Sequence, residues 1–232
     1  MRKCIDMGKG REIIINDKDM LKPDGTLEIP DIGLGGAYRG KASYVVYDEE
    51  DIDDDLLELV CARKYNEPLV IAETERFIIR EMTAGDLPHL YELYETLSDC
   101  IYVEPLYGYE EEKAFTIKYI ENMYGFFGYG LWLVFDKKTG ELVARAGIEN
   151  RSIDGQNCQE LGYLVKKSWQ GKHVAWEVMN HIVDIAKDRF GLEELYICTE
   201  KTNNPSIQLA LKLGFTLYAG DTDGMNIYRK KL

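Results

Sequence analysis

Tyr163-Leu164-Val165-Lys166-Lys167-Ser168-Trp169-Gln170-Gly171-Lys172-His173-Val174-Ala175 is the stretch that decides how this chain folds. An apolar strand, QELGYLV, passes through a short turn straight into residues 173–190. There Val174, Val178, Met179, Ile182, Val183, Ile185 and Ala186 fall on one broad helical face. Where a strand gives way to a helix so abruptly, successive backbone N–H groups point at one spot and the helix dipole adds positive potential. Such a junction binds phosphate without basic side chains, and small residues at the helix start let a diphosphate approach the main chain. An ordinary strand-to-helix turn has the same pattern, so this stretch alone leaves both readings open.

One strand further on, after ELYICT, comes Asn203-Asn204-Pro205-Ser206-Ile207-Gln208-Leu209-Ala210-Leu211-Lys212-Leu213-Gly214-Phe215. Asn204 is a candidate cap, Pro205 suits the first helical position and Gly214 can end the helix. FTLYA and MNIYRKK then close the chain as strands. Upstream, RFIIREM is a strand, and Thr83 can cap a helix bearing Leu87, Leu90, Tyr91 and Tyr94. Residues 98–108 are a loop, and a second helix is predicted from Glu110 to about Tyr124. LWLVFD, the turn KKTG and ELVARAGIENR form a hairpin. The order is strand, helix, helix, hairpin, strand, helix, strand, helix, strand, strand. It predicts a mixed α/β sheet and excludes a strict βαβ repeat.

Residues 1–75 form a separate block, predicted as a small N-terminal α/β appendage of unassigned role. It carries 10 basic and 18 acidic side chains, a net of −8. EIIIN and ASYVVY read as strands, 50–65 as a helix and PLVIAE as a strand. The acidic run Asp48 to Asp55 lies where a helix N-terminus favours negative charge. The glycine-rich GLGGAYRG lacks a following amphipathic helix, so it is a weak phosphate cradle. Asp24-Gly25-Thr26-Leu27 is similar to the DGTL of haloacid-dehalogenase-type phosphatases, but Lys22 stands where that motif needs its nucleophilic Asp.

Composition narrows the function classes. The 232 residues hold 28 Lys+Arg against 41 Asp+Glu, a net charge of −13 that disfavours nucleic acid and anionic membranes as partners. No apolar stretch approaches the roughly 20 residues a membrane helix needs. The segment MRKCIDMGKGREIII has no secretory core. Five scattered cysteines, no C-x-x-C and three histidines argue against a structural metal site or disulfide framework, so a reducing cytoplasm is expected.

The two segments on either side of ELYICT together resemble the acetyl-CoA-binding core of the GNAT N-acetyltransferase superfamily over about residues 76–220. The signature is Gln/Arg-x-x-Gly-x-Gly/Ala, followed by Asn-x-x-Ser and Gly-Phe. ELGY and Glu177 are most similar to the branch that acetylates ribosomal-protein N-termini. The resemblance implies a mostly antiparallel sheet with helices on both faces in a domain spanning 76–232. It implies acetyl-CoA held by Tyr163, Leu164, Val165, Gln170, Gly171, Lys172, His173, Val174, Ala175, Asn203 and Ser206, and an amine acceptor, from a peptide or a small molecule. Around Val165 the backbone N–H would bind the thioester carbonyl. Two departures stand out: His173 replaces the middle glycine, and Ala210 replaces a frequent tyrosine that serves as general acid. Ser206 and Tyr218 are candidate substitutes.

An amine acceptor must lose a proton before it attacks, and a carboxylate near the splayed strand can take it. Glu160 and Glu149 are the candidates; Glu160 shares a strand face with Gly162 and Leu164, opposite Tyr163 and Val165. Tyr102, Tyr107 and Tyr124 are expected around the acceptor, because aromatics with a carboxylate suit a cation. No metal is expected, and a homodimer stays open. Two other readings compete: a non-catalytic CoA-binding module, and a scaffold whose N-terminal part binds a partner.

Overall fold

A computed structural model describes residues 2–222 and 224–232. The chain divides into two compact units, Met1–Leu69 and Val70–Leu232.

In the first unit β1 (Arg2–Gly8) and β2 (Arg11–Asn16) form an antiparallel hairpin. The sequence reading does not include β1. A small pair follows, β3 (Met20–Leu21) and β4 (Leu27–Glu28), and then β5 (Ile32–Leu34) and β6 (Tyr44–Val46). These last two extend the sheet in parallel in the order β1-β2-β5-β6. Helix α1 (Asp54–Tyr65) closes the unit over Ile13, Ile15 and Ile32 with Leu57, Val60 and Cys61. It starts at 54 rather than 50 because Asp53 caps it, accepting from the Leu56 amide at 2.8 Å, behind a short 3₁₀ turn at Glu49–Asp51. GLGGAYRG is a strand end and a packed turn. A β-carbon at Gly40 would collide with Asp19 and Tyr38, whose hydroxyl donates to Asp19 at 2.7 Å.

The second unit holds one eight-stranded mixed sheet. Its strands are β7 (Val70–Glu73), β8 (Phe77–Arg80), β9 (Leu131–Asp136), β10 (Leu142–Ile153), β11 (Gln156–Val165), β12 (Glu194–Glu200), β13 (Thr216–Thr222) and β14 (Met225–Lys231). They run in the order β13-β14-β12-β11-β10-β9-β8-β7, and only β11 and β12 are parallel neighbours. The helices are α2 (Leu87–Glu95), α3 (Tyr109–Tyr119), α4 (Val174–Asp188) and α5 (Asn204–Lys212).

Three sequence expectations need correction. Residues of PLVIAE, assigned above to the appendage, form β7, which pairs with β8 in the large sheet and moves the boundary to 69/70. The turn between them is built on Thr74, whose hydroxyl accepts from the Phe77 amide at 2.9 Å. The second helix does not run regularly to Tyr124: after Tyr119 it widens into a π-helical segment, Ile120–Phe127, ended by Gly128 at φ +78°. Third, α5 is capped by Asn203 rather than Asn204.

Side chains on β10 alternate sharply. Arg145, Gly147 and Glu149 share the face met by α2 and α3, where Arg145 donates to Tyr94 at 3.1 Å and Tyr119 donates to Glu149 at 3.1 Å. Ala144, Ala146 and Ile148 are buried on the opposite face, and α4 packs on β10 and β11. A β-carbon at Gly147 would stand 1.9 Å from the Gly130 carbonyl oxygen, so only glycine permits the close approach of β9 and β10 at this point.

Candidate active site

The parallel neighbours β11 and β12 meet in register at one position, Glu160 opposite Tyr196. Beyond it they part, and a cleft of about 1230 Å³ opens between their C-terminal halves. Its wall runs along β11 to Val165, through Gln170–Ala175 to Trp176, and back through β12, Asn203 and Ser206.

Hydrogen-bond phase decides what β11 offers this cleft. The Lys166 amide donates to Val143 at 2.8 Å, and Val165 stands opposite Ala144 without exchanging bonds with it. In an antiparallel ladder this turns the N–H and C=O of Val165, and of Tyr163 two residues earlier, away from β10 and toward the opened edge. The Val165 carbonyl confirms the direction, for it accepts from the Gln170 side chain at 3.1 Å.

The loop into α4 does the same with a run of amides. The first helical bond goes from Glu177 N to His173 O, 3.1 Å. Among the described residues, the amides from Gly171 to Trp176 make no main-chain hydrogen bond ahead of it. Gly171 at φ +73° and His173 at φ +61° both lie in the left-handed region, and left-handed positions among right-handed ones are what gathers successive amides into a concave nest. That explains the motif's preference for glycine where this chain has His173: the position is left-handed, at a cost of about 1–2 kcal/mol for a residue with a β-carbon. A further orphan lines the cleft, the buried Thr199 hydroxyl, which has no partner among the described residues. Unspent amides at a helix start, a free strand edge and an unpaired hydroxyl fit a diphosphate-bearing amide chain such as coenzyme A.

Helix α4 is anchored by Glu177. Its carboxylate accepts from the Thr74 hydroxyl at 2.6 Å, the Arg76 amide at 3.2 Å and the Arg76 guanidinium at 2.7 Å. Burial pushes Glu177 up, but these donors outweigh it and hold the carboxyl below its usual range.

The opposite face of β10 and β11 carries the two candidate bases, directly across from each other. Their situations differ. Glu149 accepts from Tyr119 on Oε1, while Oε2 has no hydrogen-bond partner among the described residues and lies 3.8 Å from where a β-carbon of Gly162 would be. Burial raises Glu149 above the ordinary carboxylate range, against the pull of Arg145 and Tyr119 and with help from Glu160. Glu160 has both oxygens engaged, Oε2 by Arg151 at 2.9 Å and Oε1 by the Cys198 amide at 3.2 Å. Glu160 lines the large cleft; Glu149 stands behind Gly162.

Tyr119 and Tyr124 hold one residue between them. Leu131 N donates to Tyr119 Oη at 2.7 Å, and Tyr124 Oη donates to Leu131 O while accepting from Met82 N at 3.3 Å. Tyr124, expected against the acceptor, is therefore core, and burial raises its phenol. Tyr107 is half exposed, packs on Phe115 and lies outside the cleft, whereas Tyr102 lines it. Tyr218 meets Tyr196 edge-to-face, with ring centroids 5.8 Å apart, and does not line the cleft; Ser206 and Tyr163 both line it. Lys172 reaches back over the Trp169 ring, 5.0 Å from its centroid. Tyr119 escaped the sequence reading because its partner Glu149 is 30 residues away and no local pattern links them.

Cys198 also borders the cleft, but burial and then Glu160 push its thiol up to about 12, so it stays protonated and poorly nucleophilic. No cluster of His, Cys, Asp or Glu among the described residues could hold a metal, and no helix among them is long and apolar enough to cross a membrane.

Comparison with known proteins agrees with this geometry. The model of the Acetyltransferase (GNAT) domain family matches residues 76–216, and the chain belongs to that family. An uncharacterized Bacillus subtilis protein, YkkB, is 28% identical over 144 residues, covering 61% of this chain and 82% of that protein. Among solved structures, the ribosomal L7/L12 α-N-protein acetyltransferase RimL superimposes with TM-score 0.62 at 16% identity, over 72% of this chain and 96% of that one. An acetyltransferase from Agrobacterium tumefaciens gives TM-score 0.57 at 23% identity, over 68% and 92%. A ribosomal-protein-S5-alanine acetyltransferase from Vibrio fischeri gives 0.58 at 16%, over 69% and 95%. GNAT enzymes use acetyl-CoA, and RimL is also known in complex with coenzyme A. The chain is an acetyltransferase of this kind, with acetyl-CoA as its cofactor.

Proposed function

We propose that the chain transfers an acetyl group from acetyl-CoA to a primary amine by direct attack, with Glu149 taking the amine proton. Bound acetyl-CoA supplies the thioester carbonyl. The outward N–H of Val165 is placed to hydrogen-bond that carbonyl as negative charge builds on it. The free amides of residues 171–176 hold the diphosphate, and Asn203 and Ser206 flank the same cleft.

The observation that carries the reading is the state of Glu149. One oxygen is fixed by Tyr119, the other is free beside Gly162, and burial raises the carboxyl above its usual value. A base of that kind accepts a proton more readily than a solvated glutamate. Glu160, with both oxygens occupied, is less available. Ser206, which lines the cleft, supplies a hydroxyl that can protonate the leaving thiolate where Ala210 offers nothing. The protonated Cys198 favours direct transfer over an acetyl-cysteine.

The acceptor class is a peptide N-terminus or a small-molecule amine, in keeping with the acidic chain and the ribosomal-protein acetyltransferases of similar fold. Five free thiols suit a reducing cytoplasm. A thiol-release screen of amine classes with acetyl-CoA tests the proposal. Turnover with at least one amine class, lost in Glu149→Gln, is expected; coenzyme A binding with no turnover on any amine would favour a non-catalytic module.

A further inference from the structure

Strand β12 has amides that should find β11 and do not. N–H groups of alternate residues point to the same side of a strand, so the Tyr196 and Cys198 amides share a side. Tyr196 stands in register with Glu160 on β11. At Cys198 the main chain of β11 has already moved away, and no register pair joins the two strands there. The Cys198 amide instead donates to Glu160 Oε1 at 3.2 Å. The other oxygen, Oε2, is pinned at 2.9 Å by Arg151, a diagonal neighbour on β10, and the Glu160 side chain is only 16% exposed. One side chain thus leaves the last paired position and supplies the acceptor that the departing strand withholds from the next amide.

We infer that Glu160 is a positioning residue that holds the fork between β11 and β12 open, its carboxylate standing in for the missing strand partner of Cys198. Without it, the Cys198 amide is satisfied only if water enters the fork or the strands zip one step further. Either change displaces the edge of β11 that carries the outward amides of Tyr163 and Val165. The role is therefore felt in cofactor binding rather than in proton transfer. It rests on the reading of the cleft as the acetyl-CoA site and is independent of Glu149 as the base.

Two substitutions in the full-length chain separate reach from charge. Glu160→Gln keeps the length and an acceptor oxygen but loses the charge; Glu160→Asp keeps the charge but is one methylene too short to span Arg151 and the Cys198 amide together. Coenzyme A affinity is measured by titration calorimetry, Cys198 amide exchange by hydrogen–deuterium exchange, and folding by thermal melting. Glu160→Gln is expected to bind within about threefold of the parent with Cys198 still protected. Glu160→Asp is expected to bind tenfold or more weakly, with faster exchange at Cys198 and an unchanged pH profile of residual activity. The inference is overturned if Glu160→Asp binds like the parent, or if Glu160→Gln loses binding as badly as Glu160→Asp while folded, since charge would then matter and reach would not. Should Glu160→Asp fail to fold, protection of Cys198 in Glu160→Gln decides alone, and its loss overturns the inference. If the parent itself does not bind coenzyme A, the reading of the cleft fails first.

Discussion

The two sides of strand β11 recognise by different means. Toward α4 and α5 the chain offers main-chain groups: outward amides of Tyr163 and Val165, then the unspent run from Gly171 to Trp176. Toward α2 and α3 it offers side chains gathered from far apart, Glu149 on β10, Tyr119 on α3 and Arg145 over the Tyr119 ring at 5.7 Å. Main-chain recognition depends on local conformation and tolerates many side chains. Side-chain recognition depends on who meets whom, and one substitution removes it. The amides of the cofactor half should therefore tolerate most single side-chain changes, Glu160 at the strand fork excepted, and the acceptor half should not.

Glu149→Gln should give the largest effect. It is expected to lower kcat by about 10²–10⁴-fold with coenzyme A affinity unchanged, as steady-state kinetics and calorimetry will read. A loss of affinity instead would erase the division between the halves. Tyr119→Phe comes next. It removes the donor to Glu149 Oε1, and losing a bond to the charged form raises a carboxyl further. The base works deprotonated, so the acid limb of the kcat/KM profile, already above the ordinary glutamate range in the parent, should move to higher pH. A limb that stays in place would detach Tyr119 from the base.

Around α4 the effects are on stability. Glu177→Gln should cost about 1–3 kcal/mol, since it weakens three bonds that dock α4 on the β7–β8 turn; urea unfolding will show it. Because Glu177 is held below its usual range, its contribution is full above the ordinary glutamate pKa and fades as pH falls through the lowered value. The variant should lack that part of the acid dependence. His173→Gly should be the smallest. Relief of the left-handed strain, about 1–2 kcal/mol, exceeds the extra freedom glycine loses, about 0.5–1 kcal/mol, so thermal melts should rise slightly. A lower melting temperature would mean that the imidazole makes contacts worth more than the strain.

The hairpin turn at Asp154-Gly155, both with positive φ, falls between the two strands read from the sequence, and its Asp-Gly pair is the signal that joins them. The π-helical turn at Ile120–Phe127 was not legible. Its apolar residues continue the α-helical pattern, and the widening serves the hydroxyl of Tyr124, which must reach Leu131 and Met82. The boundary at 69/70 escaped for a similar reason: β7 and its neighbours in the first unit have the same short apolar character, and only pairing with β8 assigns it.

The sequence by itself determined the loop that joins β11 to α4 and the anomaly of His173 within it, because left-handed positions, caps and apolar periods are written within a few residues. Only the tertiary structure decided which carboxylate is free. Glu149 and Glu160 are equivalent on paper, one on each strand of a hairpin and facing each other across it. What separates them is a tyrosine from α3, an arginine across the ladder and one amide from a diverging strand, and such contacts exist only once the chain has closed on itself.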